Sequence, residues 1–473
     1  MRAKALTPLV VLVFSLPAIA QSPTPATPAS AKPSLPNGQL QQVVALFRHG
    51  VRAPLTNLNA TPTPPASPTP YAKDPWPSPP AQWGATDWGY LTEQGGKLAK
   101  VLGVSYAQTY KPLFPPGAKA FLAADISQRT MATAQMLQAG LIAGGIPATA
   151  APTPSPTPSR TPPPTPSPTP DALFHPFEAH VGKPDPRTLG LIAHAISEQA
   201  QTWIDQKFAT PFGELYRVLD CAGPACLDKV KNNSAMPCPS PGKGCSDPIA
   251  WKGQFPYANT ASETFLLEYA NQMDVGWGRV LKDGTAQLLS MMQLHEFYFD
   301  QTQRQPYLAQ IAASNLLRQI CLTLNDDKVS CRRIPTGYKF AAFVGHDTNI
   351  ANVAHLLNLS WTFTSGGNRG LPDNDPLPAG ALVFELWKEA SGSFVRIYYA
   401  AQDIQEMHDY KGGLCPAVSV PVRCGKYSNE ADTCKMPLQA FKDAIAGAIG
   451  DGKFLSPCEG GPQLCQKGPA PEN

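Results

Sequence analysis

The chain has 473 residues, 43% hydrophobic and 15% charged, with a formal net charge of +3. It is long enough for one large domain or two ordinary ones, and too weakly basic, without any Lys/Arg block, to be read as a nucleic-acid-binding protein. The apolar run from Leu9 to Leu16 is too short to cross a membrane, and no other stretch is a candidate span.

That run follows Arg2 and Lys4 and precedes Ala18-Ile19-Ala20. A basic start, a short apolar core and an A-x-A site read as a secretory signal over residues 1–20, cut after Ala20, and predict a soluble periplasmic or secreted protein. Residues 21–37 are rich in Pro, Thr, Ser and Ala and read as a tether. Similar tracts, Thr61 to Pro70 and Ala151 to Pro170, hold many of the 53 prolines and read as extended surface insertions. The eleven cysteines fit an oxidising compartment and fall mostly in close pairs: Cys221/Cys226, Cys238/Cys245, Cys321/Cys331, Cys424/Cys434 and Cys458/Cys465, with Cys415 left over. Adjacent pairing is the simplest arrangement among the connectivities open to such a set. No pair has C-x-x-C spacing, so a zinc site is not expected.

Val43 to Phe47 is a short apolar run of the buried-strand type. It delivers Arg48-His49-Gly50-Val51-Arg52-Ala53-Pro54 to the end of the strand, where Gly and Pro mark the chain leaving the sheet. Ligands bind at such ends in open α/β sheets. Two guanidiniums beside one imidazole suit a dianion, because each guanidinium offers a planar fork of donors to phosphate oxygens. Thr92 then caps a helix with Leu98, Val101 and Leu102 on one face. Ala120 to Ala123 is strand-like and leads through Asp125 to a helix carrying Met136, Leu137 and Leu141. Arg129 falls in the first turn of that helix, where its own charge and the free backbone N–H groups both favour an anion.

Residues 171–310 read as mostly helical, with helical apolar spacing in Leu191 to Phe208, Thr264 to Asn271, Thr285 to Phe299 and, running past that limit, Leu308 to Leu322. This predicts a helical domain inserted between two parts of a sheet domain, 38–145 and 311–473, with the Pro-rich insertion at 146–170 and a disulfide-containing segment at the C-terminus. Lys339 to Val344 repeats the first arrangement: an apolar strand, then Gly345-His346-Asp347-Thr348-Asn349. Ile350, Val353, Ala354 and Leu357 share a helical face after it, with Asp347 or Thr348 as the expected N-cap. Ala381 to Trp387 and Phe394 to Ala400 alternate like paired strands returning to the sheet.

The motifs RHGVRAP (Arg48 to Pro54), ADISQRT (Ala124 to Thr130) and GHDTN (Gly345 to Asn349), in this order, resemble those of the histidine acid phosphatases. Weaker matches are DALFHP (Asp171 to Pro176), GWGR (Gly276 to Arg279) and VFELW (Val383 to Trp387), and the resemblance spans Val43 to Cys434. It implies an α/β fold: a phosphoglycerate-mutase-like sheet domain with an inserted α-helical domain. It also implies roles for matching positions. His49 is the nucleophile that forms a phosphohistidine. Arg48, Arg52, Arg129 and His346 surround the phosphoryl oxygens. Asp347 protonates the leaving alkoxide and then helps the attacking water; its need for a proton favours acidic pH. Because arginines do the neutralising, no metal and no other cofactor are expected. The implied partner is a small-molecule phosphomonoester, phytate or a sugar phosphate, with no nucleic acid, no membrane and a monomeric chain.

For the substrate, Gly50-Val51 and His346-Asp347-Thr348-Asn349 are similar to the bacterial phytase form rather than to the RHNLRAP and HDSN of bacterial glucose-1-phosphatases. Leu55 departs from the Thr usual in the phytase pattern and is similar to the other group. His295, Glu263 and Asp125 match substrate-pocket positions of bacterial phytases, and Thr56 is expected at the pocket mouth. His175, His180, His194, His355 and His408 have no such support and read as surface or core residues. A phytase-like exported acid phosphatase is the expectation. The alternatives are a glucose-1-phosphatase or broad acid phosphatase, a phosphomutase, and a non-catalytic exported binding protein.

Overall fold

The computed structural model describes residues 38–59, 71–151, 170–223, 226–230, 232–239, 241, 245–280, 285–329, 331–428 and 433–457. The expected signal and tether, the Thr61 to Pro70 tract, nearly all of the Ala151 to Pro170 tract and the Cys458/Cys465 pair lie outside the described residues.

The first strand, β1 (Gln39–Arg48), is buried from Gln42 onward. Its successive side chains point to opposite faces, and both faces are covered, which is why the sequence reads as an unbroken apolar run rather than an alternation. Val43, Ala45 and Phe47 pack with α1 (Glu93–Tyr110) and α2 (Gln128–Ala143). Val44 and Leu46 face the larger core that continues into the helical domain. Each fully buried aliphatic side chain contributes about 1.5–3 kcal/mol. Thr92 caps α1 as expected, its Oγ1 accepting the Gly95 N–H at 2.9 Å.

Between α1 and α2 runs β2 (Ala120–Ala124), and after α2 comes the short β3 (Ala148–Ala150). The helical part follows: α3 (Pro186–Thr202), α4 (Ala209–Leu219), a two-stranded antiparallel ribbon of β4 (Ser234–Pro237) and β5 (Ile249–Lys252), α5 (Gln254–Ala270) and α6 (Ala286–Thr302). α7 (Pro306–Leu324) leads back to β6 (Phe340–Gly345) and α8 (Asp347–Leu356). The hairpin of β7 (Ala381–Glu389) and β8 (Gly392–Gln402), then α9 (Ile404–His408), β9 (Ala417–Pro421), β10 (Cys434–Pro437) and α10 (Leu438–Ile449) complete the described chain.

The main sheet has eight strands in the order β10-β8-β7-β1-β6-β2-β3, with β9 beside β8. β1, β6, β2 and β3 are parallel, and β7, β8, β9 and β10 are joined antiparallel. The fold is therefore a sheet domain with a helical domain inserted between its halves. Three details differ from the sequence reading. The boundary at 310/311 falls inside α7, whose Pro306 start fits the first turn of a helix, so the change of element lies at 303–305. The first sheet segment runs past 145, because β3 pairs with β2. His346, not Asp347 or Thr348, is the N-cap of α8: its backbone N–H donates to Asn349 Oδ1 at 2.9 Å.

Disulfides join Cys221 to Cys226, Cys238 to Cys245 and Cys424 to Cys434; Cys321 and Cys331 are also disulfide-bonded, and Cys415 is free and buried. α1 and α2 touch through glycines. A Cβ on Gly140 would stand 2.0 Å from the Lys100 carbonyl oxygen, and one on Gly103 would stand 2.3 Å from that of Leu137. Gly140→Ala should therefore cost about 2 kcal/mol in urea unfolding, through forced separation of the helices. Gly190→Ala on α3, where a Cβ would meet nothing within 4 Å, should gain about 0.5–1 kcal/mol. Equal effects at the two sites would contradict this packing.

Candidate active site

Three parallel strands end side by side, and their ends set the site. Arg48 at the end of β1 is in register with Gly345 at the end of β6, and the His49 N–H donates to the Gly345 carbonyl at 2.9 Å. On the other side of β6, the Asp125 N–H donates to the Val344 carbonyl at 3.0 Å. The imidazoles of His49 and His346 are thereby held with ring centroids 5.5 Å apart. Both line a cavity of about 460 Å3, together with Arg52, Arg129, His175, Glu263, His295 and Asp347. Glu263 comes from α5 and His295 from α6, so the cavity lies between the strand ends and the helical domain.

The protons on the two central rings follow from their partners. His49 Nδ1 lies 2.9 Å from the Gly50 carbonyl oxygen, which can only accept, so Nδ1 carries the hydrogen and Nε2 keeps its lone pair. Burial first, then Arg129, Arg48 and Arg52, hold the His49 pKa well below the usual histidine value, so the ring stays neutral. Arg129 Nη2 donates to His346 Nδ1 at 3.3 Å; His346 Nε2 is then protonated and donates to Asp125 Oδ2 at 2.9 Å. Burial and Arg129 outweigh Asp125 and push His346 down to about 4.

The arginines divide into two kinds. Arg48 is fully buried and does not line the cavity. Its guanidinium donates to the Pro376 carbonyl at 2.8 Å, pairs with Asp347 Oδ2 at 2.9 Å and also bonds Glu263. Arg52 reaches the other oxygen of Glu263 at 2.8 Å and lines the cavity. Arg129 lines it too; the buried Nε atoms of all three arginines meet no hydrogen-bond partner, so it is their place on the wall that sets Arg52 and Arg129 apart as able to face an anion. Burial pushes the Asp347 carboxyl up, but Arg48, His295, His346 and Arg52 outweigh it and hold it at about 2. Arg48 is the strongest of these lowering influences, so the Asp347 carboxyl sits below the usual carboxylate range.

Asp125, His175 and His346 place one carboxylate oxygen and two ring nitrogens within 4.8 Å of one another. Each of these atoms is committed to the hydrogen bonds that converge on Asp125 Oδ2, and the Arg129 guanidinium against His346 opposes a further cation. The set therefore serves as a hydrogen-bonded chain rather than a cation site.

Residues 39–186 and 227–400 match the model of the histidine phosphatase superfamily, branch 2. The chain belongs to this superfamily. This histidine phosphatase is 32% identical to phytase AppA of Escherichia coli (strain K12), an alignment covering 81% of this chain and 86% of that protein. It is 26% identical to the glucose-1-phosphatase of Salmonella typhimurium over 78% of this chain and 83% of the relative. Among solved structures, Hafnia alvei phytase in complex with myo-inositol hexakis sulphate superposes with a TM-score of 0.70 at 25% identity, covering 89% of this chain and all of that one.

The other anticipated pocket residues of this phosphatase divide in the same way. Glu263 and His295 are on the cavity wall; His295 Nδ1 meets Asn259 Oδ1 at 2.7 Å, and its buried Nε2 has no partner. Asp125 does not line the cavity but stands behind His346 and His175. Thr56 is exposed and also off the wall, whereas its neighbour Leu55 is on it. His175, read from sequence as a bland residue, is on the wall, its ring centroid 4.9 Å from that of His346. Its signal was the DALFHP match, which follows directly on the Pro-rich tract and carries no strand or helix of its own. Glu263→Ala should cost about 3 kcal/mol of unfolding free energy, because it leaves Arg48 and Arg52 buried without their shared counter-charge. A urea midpoint within error of wild type would show that the bridge is not needed.

Proposed function

We propose that this histidine phosphatase is an exported acid phosphatase that cleaves phosphomonoesters through a phosphohistidine at His49, with phytate (myo-inositol hexakisphosphate) as preferred substrate. The observation that carries the reading is the His49 ring: a neutral imidazole with its Nε2 lone pair free, on a cavity wall shared with Arg52 and Arg129. In the first step Nε2 bonds to phosphorus as the P–O ester bond breaks, and the leaving oxygen takes a proton from Asp347. In the second, water bonds to phosphorus, Asp347 takes the water proton, and the P–N bond breaks to return neutral His49. Arg52 and Arg129 steady the phosphoryl oxygens, and His346, whose Nδ1 accepts from Arg129 while its Nε2 donates to Asp125, positions the Arg129 guanidinium. Arg48 acts from beneath, on Asp347 and Glu263.

Phytate is supported by the nearer relationship to a phytase than to a glucose-1-phosphatase, and by a cavity larger than one phosphate needs. Glucose 1-phosphate is the second reading, favoured by Leu55 on the wall. Export is supported by the pattern of residues 1–20 and by the disulfides; the mature chain then begins at Gln21. Among the described residues no helix is long and apolar enough to cross a membrane.

Purified protein should release phosphate from phytate with a higher kcat/KM than from glucose 1-phosphate at acidic pH, and His49→Ala should abolish both activities. Turnover of glucose 1-phosphate without phytate would overturn the substrate; full activity in His49→Ala would overturn the mechanism. The acid optimum has a specific origin. Asp347 is already ionised above about pH 2, so its catalytic proton arrives with the substrate monoanion. A phosphate monoester loses that proton near pH 6. The alkaline limb of kcat/KM should therefore follow the substrate, lying lower for an aryl phosphate of lower second pKa than for an alkyl phosphate. Coincident limbs would assign it to the protein instead.

A further inference from the structure

Building on the phytase reading, we propose that His175, Glu178 and Asp247 form a second anion subsite in the cavity. It holds a further phosphate of a polyphosphorylated substrate in acid and repels it near neutrality. All three residues line the cavity that contains His49. His175 and Glu178 come from the loop after the Pro-rich tract, and Asp247 from the segment before β5. His175 Nε2 donates to Asp125 Oδ2 at 3.3 Å. Asp247 Oδ1 accepts from Gln303 Nε2 at 2.9 Å, and its Oδ2 accepts from Ser246 Oγ at 3.3 Å. When the carboxyls are ionised, this wall sets two negative charges against one imidazole. When they are protonated, they become hydrogen-bond donors beside an imidazolium, which is what a phosphate needs.

The surroundings move all three groups in the direction this requires. Burial lowers His175, but the Asp125 hydrogen bond and charge, with Glu178, outweigh it and Arg129, raising its pKa. Glu178 is raised by burial, Asp247 and Asp125 against His175. Asp247 is raised by burial, with Asp347, against Gln303, Ser246 and His175. A raised carboxyl keeps its proton to higher pH than usual, and a raised imidazole stays charged longer. Of the deeper groups, His295 and His346 are held at about 4, Asp347 at about 2, and His49 stays neutral. Asp375, buried off the cavity near Arg48 and raised to about 7, and Glu296, next to His295 and raised well above its usual value by burial, are further groups from which the wall must be told apart.

The test uses myo-inositol hexakis sulphate as a competitive inhibitor of p-nitrophenyl phosphate hydrolysis, because sulfate esters have no proton to exchange between pH 5 and 8. In wild type the inhibition constant should weaken about tenfold from pH 5 to pH 8, as opposed charges become like charges. Glu178→Gln/Asp247→Asn should flatten that dependence by tightening inhibition at pH 8, while His175→Asn should weaken inhibition at pH 5. A urea unfolding midpoint reports that each variant is folded, independently of turnover; if the double variant is not, Glu178→Gln alone carries the test with part of the effect. A folded variant that keeps the wild-type pH slope would overturn the subsite and assign the slope to the buried groups Asp375 and Glu296. Phytate is assayed in parallel. Inhibition with the expected pH dependence but no phytate turnover would sink the phytase reading and leave the subsite standing; phytate turnover with a slope indifferent to these substitutions would sink the subsite alone.

Discussion

The parallel pairing of β1 with β6 is the constraint on which the site depends. Arg48 opposite Gly345 fixes which residues leave the sheet together. A slip of one residue would turn every side chain of β1 to the other face and carry His49 away from His346. The backbone bond from His49 to Gly345 extends the pairing one residue beyond the strand, so the nucleophile candidate stands on a ladder rather than on a free loop. Asp125 is tied to β6 in the same way from the opposite side. Three separate segments thus reach one corner through backbone geometry alone, before any side chain is considered.

Charge then determines what that corner can do. Arg48, Arg52 and Arg129 are all buried or nearly so, a costly arrangement unless compensated. Glu263 bridges two of them, Asp347 pairs with one, and Asp125 stands against Arg129 across His346. Burial first, then the three arginines, keep the His49 imidazole neutral, and Arg48 foremost holds the Asp347 carboxyl low.

Much of this was legible in the sequence because each strand announces itself by a buried apolar run, and two of these runs, those of β1 and β6, lead into a Gly with a histidine beside it. Thr92 as a cap and Arg129 in a first helical turn were legible for the same local reason. What was not legible depends on contacts between distant segments. Asp125 resembles a pocket residue until the structure sets His346 and His175 in front of it. Arg48 lies beneath the cavity rather than on its wall, and nothing in RHGVRAP says so. Asp347 reads as a helix cap, yet His346 caps the helix, and the pairing of Asp347 with Arg48 is not visible in GHDTN. α4 and the β4–β5 ribbon were passed over because short elements between irregular loops give little periodicity.

The strand order has a consequence for how the protein is made. β1 is an early strand, yet both its neighbours, β6 and β7, are encoded far downstream: Val43 pairs with Phe340 and with Glu385. Such high contact order makes assembly wait on closure of a very long loop. Up to that moment the nascent chain has only the rim of its sheet, β2 beside β3, and no centre. An incomplete translation product or a fragment cut before β6 would carry RHGVRAP without the partner strand that holds it in place, so hydrolytic competence arrives late and all at once rather than accumulating with length.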